Sequence, residues 1–188
     1  FENFSLDIKA GQYVAIVGKT GCGKSTLMRL ILGFEKPNKG AVYFDGKDLE
    51  TLDKKSLRSH IGSVMQNAKL IQGDIFSNIV LVAPHLRLKD AWEAAEIAGI
   101  ADDIKEMPMG MNTLIAEGAG GISGGQKQRI MIARAIAPKP KILMFDEATS
   151  ALDNITQKIV SDSLDKLNCT RIVIAHRLST IKQCDRIS

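Results

Sequence analysis

Cysteine is scarce in this sequence, and neither a long apolar run nor a block of like charge occurs in it. The three cysteines, Cys22, Cys169 and Cys184, are an odd number without a C-x-x-C spacing. They argue against a disulfide framework or a zinc site and suit a reducing compartment. The longest stretch without Asp, Glu, Lys or Arg covers only residues 75–86, whereas a bilayer-spanning helix needs about 20 apolar residues. We therefore expect no membrane-spanning segment in this chain.

The composition is that of one folded soluble domain. Of the 188 residues, 45% are hydrophobic and 24% are charged, which argues against intrinsic disorder and low-complexity architecture. Lys and Arg number 25 and Asp and Glu 21, and the basic residues are scattered, with no run longer than Lys54-Lys55. This dispersed charge predicts no nucleic-acid partner. The chain starts at Phe1 rather than Met, so we expect a segment of a longer protein.

The first part of the chain predicts a strand, a glycine-rich loop and a helix. Residues 4–8 alternate apolar and polar side chains, as in a half-buried strand, and residues 13–17 form a fully apolar run. The glycine-rich residues 18–23 follow. A helix is then predicted over residues 25–32, ending at Gly33.

The rest of the chain predicts an α/β fold. Further strands are predicted at residues 41–44, 61–65, 142–145 and 172–175, with a turn at Asp45-Gly46. Further helices are predicted at residues 90–98 with Asp90 as the N-cap, at 125–137 and at 155–167. This order indicates a central parallel sheet. Residues 68–135 contain no convincing buried β run and are predicted to be a mostly helical insertion.

A phosphate-binding loop is predicted at residues 18–25, which fit the pattern G-x-x-x-x-G-K-[ST] between a buried strand and a helix. Backbone N–H groups of such a loop face the β-phosphate, Lys24 reaches the β and γ oxygens, and Ser25 holds Mg²⁺. An ordinary glycine turn is the alternative. The candidate nucleotide-binding residues are Gly18, Lys19, Thr20, Gly21, Cys22, Gly23, Lys24, Ser25 and Thr26.

Two adjacent carboxylates end the apolar strand predicted at residues 142–145. Asp146 is placed beside the metal ion and Glu147 near the attacking water of a phosphoryl-transfer reaction. The alternative interpretation is a buried strand with a solvated acidic end. With the phosphate-binding loop upstream, the catalytic interpretation is favoured.

Residues 122–126 are a second candidate phosphate-binding segment. The Ser-Gly-Gly sequence precedes a predicted helix, so unpaired N–H groups would be exposed with no side chain blocking an anion. The alternative is a helix N-cap followed by flexible glycines. The residues concerned are Ser123, Gly124, Gly125 and Gln126.

Together with further residues, these segments resemble the nucleotide-binding domain of ATP-binding cassette (ABC) transporters over essentially the whole chain. The matching blocks, in the family's order, are residues 18–25, Gln66, residues 122–126, residues 142–147, residues 150–153 and His176. The resemblance implies a P-loop NTPase core with a mainly parallel sheet, an N-terminal antiparallel β part and a helical insertion. It implies one domain over residues 1–188, truncated at its N-terminus, with residues 1–67 and 136–188 as catalytic core and 68–135 as helical signature subdomain.

The resemblance also implies roles for single residues, with ATP and Mg²⁺ as cofactors. Glu147, His176, Gln66 and Lys24 correspond to catalytic residues, Gln66 linking metal and water to the helical subdomain and His176 contacting the γ-phosphate. Ser25, Gln66 and Asp146 correspond to metal ligands. Asp153 corresponds to a residue that couples the two sites of a dimer. The alternatives are a surface glutamine at Gln66, a structural histidine at His176 and a helix cap at Asp153.

The resemblance implies two partners, a second nucleotide-binding domain in a head-to-tail homodimer and a transmembrane domain that is contacted through its coupling helices. It implies a location at the cytoplasmic face of a bacterial inner membrane. Residues 70–79 and 175–181 are similar to exporters with a fused membrane domain, above all bacterial peptide and bacteriocin exporters. Ile122 replaces the usual Leu of the signature, and Ala116 and Ala119 stand where glycines are usual.

Two other classes remain as alternatives. A soluble ABC ATPase that acts on DNA or ribosomes shares the same blocks, but no heptad pattern for a coiled coil occurs here. A P-loop kinase or GTPase is disfavoured because such proteins use neither a signature like residues 123–126 nor a residue like His176.

Overall fold

The computed structural model describes residues 4–19, 21–116, 121–146, 151–174 and 184–187. Its strands are β1 (Tyr13–Ile16), β2 (Tyr43–Phe44), β3 (Lys47–Asp48), β4 (Ile61–Val64), β5 (Gly73–Asp74), β6 (Leu114–Ile115), β7 (Ile142–Asp146), β8 (Thr170–Ile174) and β9 (Arg186–Ile187). Its helices are α1 (Lys24–Ile31), α2 (Lys54–Ser59), α3 (Ile75–Ile79), α4 (Leu88–Ile97), α5 (Ala101–Glu106), α6 (Gly124–Ile136) and α7 (Asn154–Asp165), and 3₁₀ turns lie at Leu49–Thr51 and Gly110–Asn112.

A parallel sheet forms the centre of the fold, with the strand order β4-β7-β8-β1-β9. Every neighbouring pair in it is parallel. Strands β2 and β3 form an antiparallel hairpin, closed by Asp45 and Gly46 at φ values of 48° and 75°, as the turn prediction required. The predicted α/β class with a mainly parallel sheet and a small antiparallel part is therefore confirmed.

One face of the central sheet packs against α1. Ile16, Met144 and Ile172 alternate with residues of the opposite face and join Leu27 and Met28 of α1 in one apolar cluster. Successive side chains of a strand point to opposite faces, so one strand supplies both layers. This packing fixes the start of α1 at the carboxyl end of β1, where the glycine-rich loop lies.

The other face packs against α6 and α7. Ala15, Leu143 and Phe145 join Ile132 of α6 and Val160 of α7 in the larger apolar cluster. Helix α6 approaches β4 so closely that a Cβ on Gly62 would overlap the carbonyl oxygen of Ala135. Any other residue at Gly62 would therefore push α6 away from the sheet.

Most elements predicted from the sequence are confirmed within one or two residues. The strand predicted at residues 4–8 is wrong: no strand occurs there, although Leu6 and Ile8 pack against the smaller cluster. In the described part of the chain no strand pairs with this segment, and alternation alone does not create a ladder. Asp90 is not the N-cap of α4 either; it lies in the first turn, where its carboxylate accepts the Arg87 N–H at 2.8 Å.

The insertion after β4 is mostly helical, but it also contains β structure that the sequence did not reveal. Strands β5 and β6 pair antiparallel, Gly73 opposite Ile115. Each has only two residues, too few for a period-two pattern to be visible.

Helices α2, α3 and α5 and strand β9 were also missed. The boundaries at residues 67 and 135 stay a prediction. Among the described residues, no helix has both the length and the apolar character that crossing a membrane requires.

Candidate functional site

The glycine-rich loop connects the buried strand β1 to α1, and its conformation requires glycine at particular positions. Gly21 and Gly23 have φ values of 81° and 98°, the left-handed region that glycine adopts without strain. Gly23 is the N-cap of α1, and its carbonyl accepts the Leu27 N–H at 2.9 Å. A Cβ on Gly18 would lie 2.7 Å from the Sγ atom of Cys22. The tight loop is therefore specified by its glycines.

Lys24, the first residue of α1, is enclosed by this loop. Its side chain is buried, with 7% of the residue exposed, and Nζ donates to the carbonyls of Gly18 at 2.7 Å and Lys19 at 3.0 Å. The Sγ atom of Cys22 lies 3.8 Å from the same Nζ. The loop thus holds one ammonium group at its inner side, with neutral carbonyls that a charged oxygen can displace.

Ser25 and Asp146 meet at the carboxyl edge of the sheet. The Ser25 hydroxyl donates to Oδ2 of Asp146 at 2.8 Å, although 121 residues separate the two in the sequence. Asp146 ends β7 and is buried, with 3% exposed. Hydroxyl and carboxylate oxygens are the ligand types that Mg²⁺ prefers. Two of the three predicted metal ligands are therefore adjacent and chemically suited to that ion.

Ser123 caps the N-terminus of α6. Its Oγ accepts the backbone N–H of Gln126 at 3.1 Å, and its own N–H donates to Oε1 of Gln126 at 3.0 Å. This reciprocal pair is a capping box. The helix-cap interpretation of this segment is thus confirmed. Ser123 and Gly124 are exposed at the helix end, which is compatible with anion binding as well.

Asp103 of α5 supports the first turn of α6, and the sequence did not predict this. It forms an ion pair with Arg129, at 2.7 Å from Nη1 to Oδ2 and 3.0 Å from Nη2 to Oδ1, and it accepts a hydrogen bond from Nε2 of Gln126 at 2.9 Å. Arg129 also donates to the carbonyl of Gly99. Partial burial favours the protonated acid, but the hydrogen bonds from Arg129 and Gln126 outweigh it and lower the pKa of Asp103 below its usual range.

Helix α6 also contacts the segment that precedes α7. The Ala151 N–H donates to Oε1 of Gln128 at 2.9 Å, and a Cβ on Gly125 would lie 3.5 Å from the Ala151 carbonyl oxygen. Asp153 is the N-cap of α7 and accepts the N–H groups of Ile155 and Thr156. Hydrogen bonds from Thr156 are the main cause that lowers the pKa of Asp153. Its helix-cap interpretation is confirmed, and its coupling role stays a prediction.

Gln66 lies exposed in the turn after β4. The segment that follows is fixed to α6 by Arg134, which donates to the carbonyls of Lys69 at 3.0 Å and Asn78 at 2.7 Å. The Asn78 side chain is fully buried and bonds both the N–H and the carbonyl of Ile71. A long-range arginine of this kind has no local sequence signal, so sequence reasoning missed it.

The structure brings the predicted residues into two groups. Lys24, Ser25 and Asp146 form one at the glycine-rich loop, and Ser123 and Gln126 form another at the start of α6. Asp103, which was not predicted, supports the second group through Gln126. The predicted residues Thr20, Glu147, Ser150 and His176 lie outside the described residues.

A buried strand, a glycine-rich loop and a helix that begins with a buried lysine define a P-loop nucleotide-binding fold. Within that class, the family model described as ABC transporter matches residues 1–150. The chain belongs to the ABC transporter family.

Individual relatives are similar over nearly the whole chain. The leukotoxin export ATP-binding protein LtxB of Aggregatibacter actinomycetemcomitans is 46% identical over 187 residues, 98% of this chain and 26% of LtxB. The alpha-hemolysin translocation ATP-binding protein HlyB of Escherichia coli O157:H7 gives the same identity and coverage. The solved structure of a bacterial Atm1-family ABC exporter with ATP bound matches at a TM-score of 0.92 and 41% identity, covering 96% of this chain and 32% of that one. This chain thus spans 26% of the length of these curated relatives.

Proposed function

We propose that this chain binds Mg-ATP and hydrolyses it to drive export, as the nucleotide-binding part of an ABC exporter. The observation that carries the proposal is the meeting of a loop-enclosed Lys24 with the Ser25 and Asp146 pair at one edge of the sheet. An ammonium and a ring of backbone N–H groups bind phosphate oxygens, and the adjacent oxygen pair is suited to Mg²⁺. The family membership excludes the P-loop kinase and GTPase alternatives.

The catalytic roles are proposed from position in the family pattern. Glu147 directly follows the buried Asp146 and would polarise the attacking water, while His176 follows the buried end of β8 and would contact the γ-phosphate. Gln66 would join the site to the helical subdomain, which residues 68–135 would form. Mg²⁺ would be held by Ser25, Asp146 and Gln66 and would neutralise charge on the phosphate oxygens when bound.

The complete site is proposed to form between two chains arranged head to tail. The exposed capping turn at Ser123 and Gly124 would bind the nucleotide held by the P-loop of the second copy. A transmembrane domain with coupling helices would be the other partner, at the cytoplasmic face of a bacterial membrane. The relatives named above are export ATP-binding proteins, which favours this over a soluble ATPase acting on DNA or ribosomes. The exporter type we propose is that of bacterial peptide and bacteriocin exporters, to which residues 70–79 and 175–181 are similar.

The proposal is tested by the metal requirement of ATP hydrolysis. We expect Ser25→Ala to raise the Mg²⁺ concentration for half-maximal activity about tenfold, because one oxygen ligand of the ion is lost. A tenfold change corresponds to about 1.4 kcal/mol of binding free energy. ATPase rates of the 188-residue chain over a Mg²⁺ titration measure it. Ser56→Ala removes an exposed hydroxyl on α2 and should keep the requirement within about twofold. An unchanged Mg²⁺ requirement in Ser25→Ala would contradict the assignment of this oxygen.

Cys22 allows a second test of nucleotide binding to the glycine-rich loop, because its exposed thiol lies 3.8 Å from Nζ of Lys24 inside the loop. Cysteines in electropositive, accessible surroundings react readily. We expect maleimide labelling of Cys22 to fall when Mg-ATP is added, whereas labelling of Cys184 should not change. Mass spectrometry of the labelled peptides distinguishes the two sites. Labelling of Cys22 that is insensitive to Mg-ATP would show that nucleotide does not cover this loop.

A further inference from the structure

The capping turn at the start of α6 has a defined hydrogen-bond polarity. Ser123 Oγ accepts the Gln126 N–H, so the lone pair that faces the helix is in use and the hydroxyl proton can be donated beyond the helix end. The first-turn N–H groups of α6, at Gly124 and Gly125, emerge at the same end. The turn can therefore donate several hydrogen bonds to one anion, provided that its side chains keep this orientation.

The orientation of the Gln126 amide decides whether that geometry persists. Its Oε1 accepts from the Ser123 N–H, while its Nε2 donates to Oδ1 of Asp103. An amide has one accepting and one donating end, and a carboxylate can only accept. Asp103 therefore selects the orientation in which Oε1 faces Ser123.

Arg129 fixes Asp103 in turn. The ion pair is mostly enclosed, with 13% of the Arg129 side chain and 29% of the Asp103 side chain exposed. The same guanidinium donates to the carbonyl of Gly99 and, at 3.4 Å, to that of Gly125. Asp103 is thus held between two α6 side chains. Without the charge of Asp103, Arg129 would keep only neutral carbonyls among these partners.

We propose that Asp103 is a positioning residue for nucleotide capture by the signature turn (residues 122–126). Its carboxylate orients Gln126, and through Gln126 it presents the Ser123 hydroxyl and the Gly124 and Gly125 N–H groups to ATP bound by a second copy of the chain. The inference rests on the proposed head-to-tail dimer. It predicts that Asp103 affects dimer formation with ATP and leaves binding of nucleotide to the chain's own P-loop unchanged.

The test uses the full 188-residue chain carrying Glu147→Gln, so that ATP stays bound, and measures the dimer dissociation constant by sedimentation velocity in Mg-ATP. We expect Asp103→Ala and the isosteric Asp103→Asn each to raise that constant about tenfold, with affinity for fluorescent ADP kept within about twofold of the parent. Asp102→Ala is the matched control, since the Asp102 side chain on the same helix is 93% exposed. It should leave both quantities unchanged.

A double variant separates positioning from general damage to the fold. If Asp103 acts through Gln126, the combination Asp103→Ala with Gln126→Ala should dimerise no more weakly than Gln126→Ala alone. Additive losses, or a parent-like dimer in Asp103→Asn, would overturn the positioning role. ADP affinity that falls together with dimerisation would overturn it as well. A parent that stays monomeric in Mg-ATP would instead refute the head-to-tail dimer itself, and with it this inference.

Discussion

Replacing Glu147 with Gln is expected to reduce steady-state ATP hydrolysis by about 10²- to 10⁴-fold while ATP binding is retained. The amide keeps the shape of the side chain but removes the negatively charged acceptor for a proton of the attacking water. Because the nucleotide would then stay intact, we expect ATP-bound dimers to accumulate. The rate of phosphate release and the sedimentation coefficient in Mg-ATP measure the two effects on one sample.

The same chemical change elsewhere provides the control for this prediction. Glu106→Gln alters an exposed glutamate at the end of α5 and should leave turnover and sedimentation as in the unmodified chain. Turnover by Glu147→Gln within a few-fold of the unmodified chain would show that another group activates the water. Loss of ATP binding in the same variant would place Glu147 in binding rather than in the chemical step.

Local signals in the sequence were sufficient to predict the P-loop and its flanking elements. A short, fully apolar run predicts a buried strand, and β1 and the first four residues of β7 are such runs with nearly every residue buried. Glycines in a fixed spacing before Lys24 predict a loop with positive φ values, and Gly21 and Gly23 have them. In each case the residues that determine the structure are neighbours in the chain.

Features that depend on distant contacts could not be predicted in this way. The alternation at residues 4–8 resembles that of a strand, but a strand also requires a partner, which the pattern does not supply. Gly62 is required by the approach of α6, which follows it by more than sixty residues. Strand β9 pairs with β1, and its preceding residue Asp185 accepts the Tyr13 N–H at 2.8 Å across 172 residues. None of these partners is visible in a local window.

The candidate site shows the same division between local and distant contacts. The cap at Ser123 was foreseen from four consecutive residues, whereas the support of that cap by Asp103 joins α5 to α6 across 23 residues. An aspartate in the first turn of a short helix is ordinary, since it also interacts favourably with the helix dipole. Only the meeting of Asp103 with Arg129 and Gln126 gives it a further role.

Replacing Lys24 with Ala is expected to weaken ATP binding by at least about 100-fold, because two charge-assisted contacts to phosphate oxygens, each contributing about 1.5–3 kcal/mol, are lost. In the structure the ammonium donates to the carbonyls of Gly18 and Lys19, so it is already directed into the loop. A phosphate oxygen is a stronger acceptor than these carbonyls and would replace at least one of them. Isothermal titration with ATP measures the affinity.

Lys19→Ala is the matched control for this change, because it removes the same charge from the same loop but leaves in place the Lys19 carbonyl that Lys24 contacts. The Lys19 side chain is exposed, so its long-range attraction to ATP is screened by solvent and salt. We expect Lys19→Ala to change the affinity by less than about fivefold. Equal losses in the two variants would show that Lys24 contributes only net charge, and unchanged affinity in Lys24→Ala would contradict the P-loop assignment.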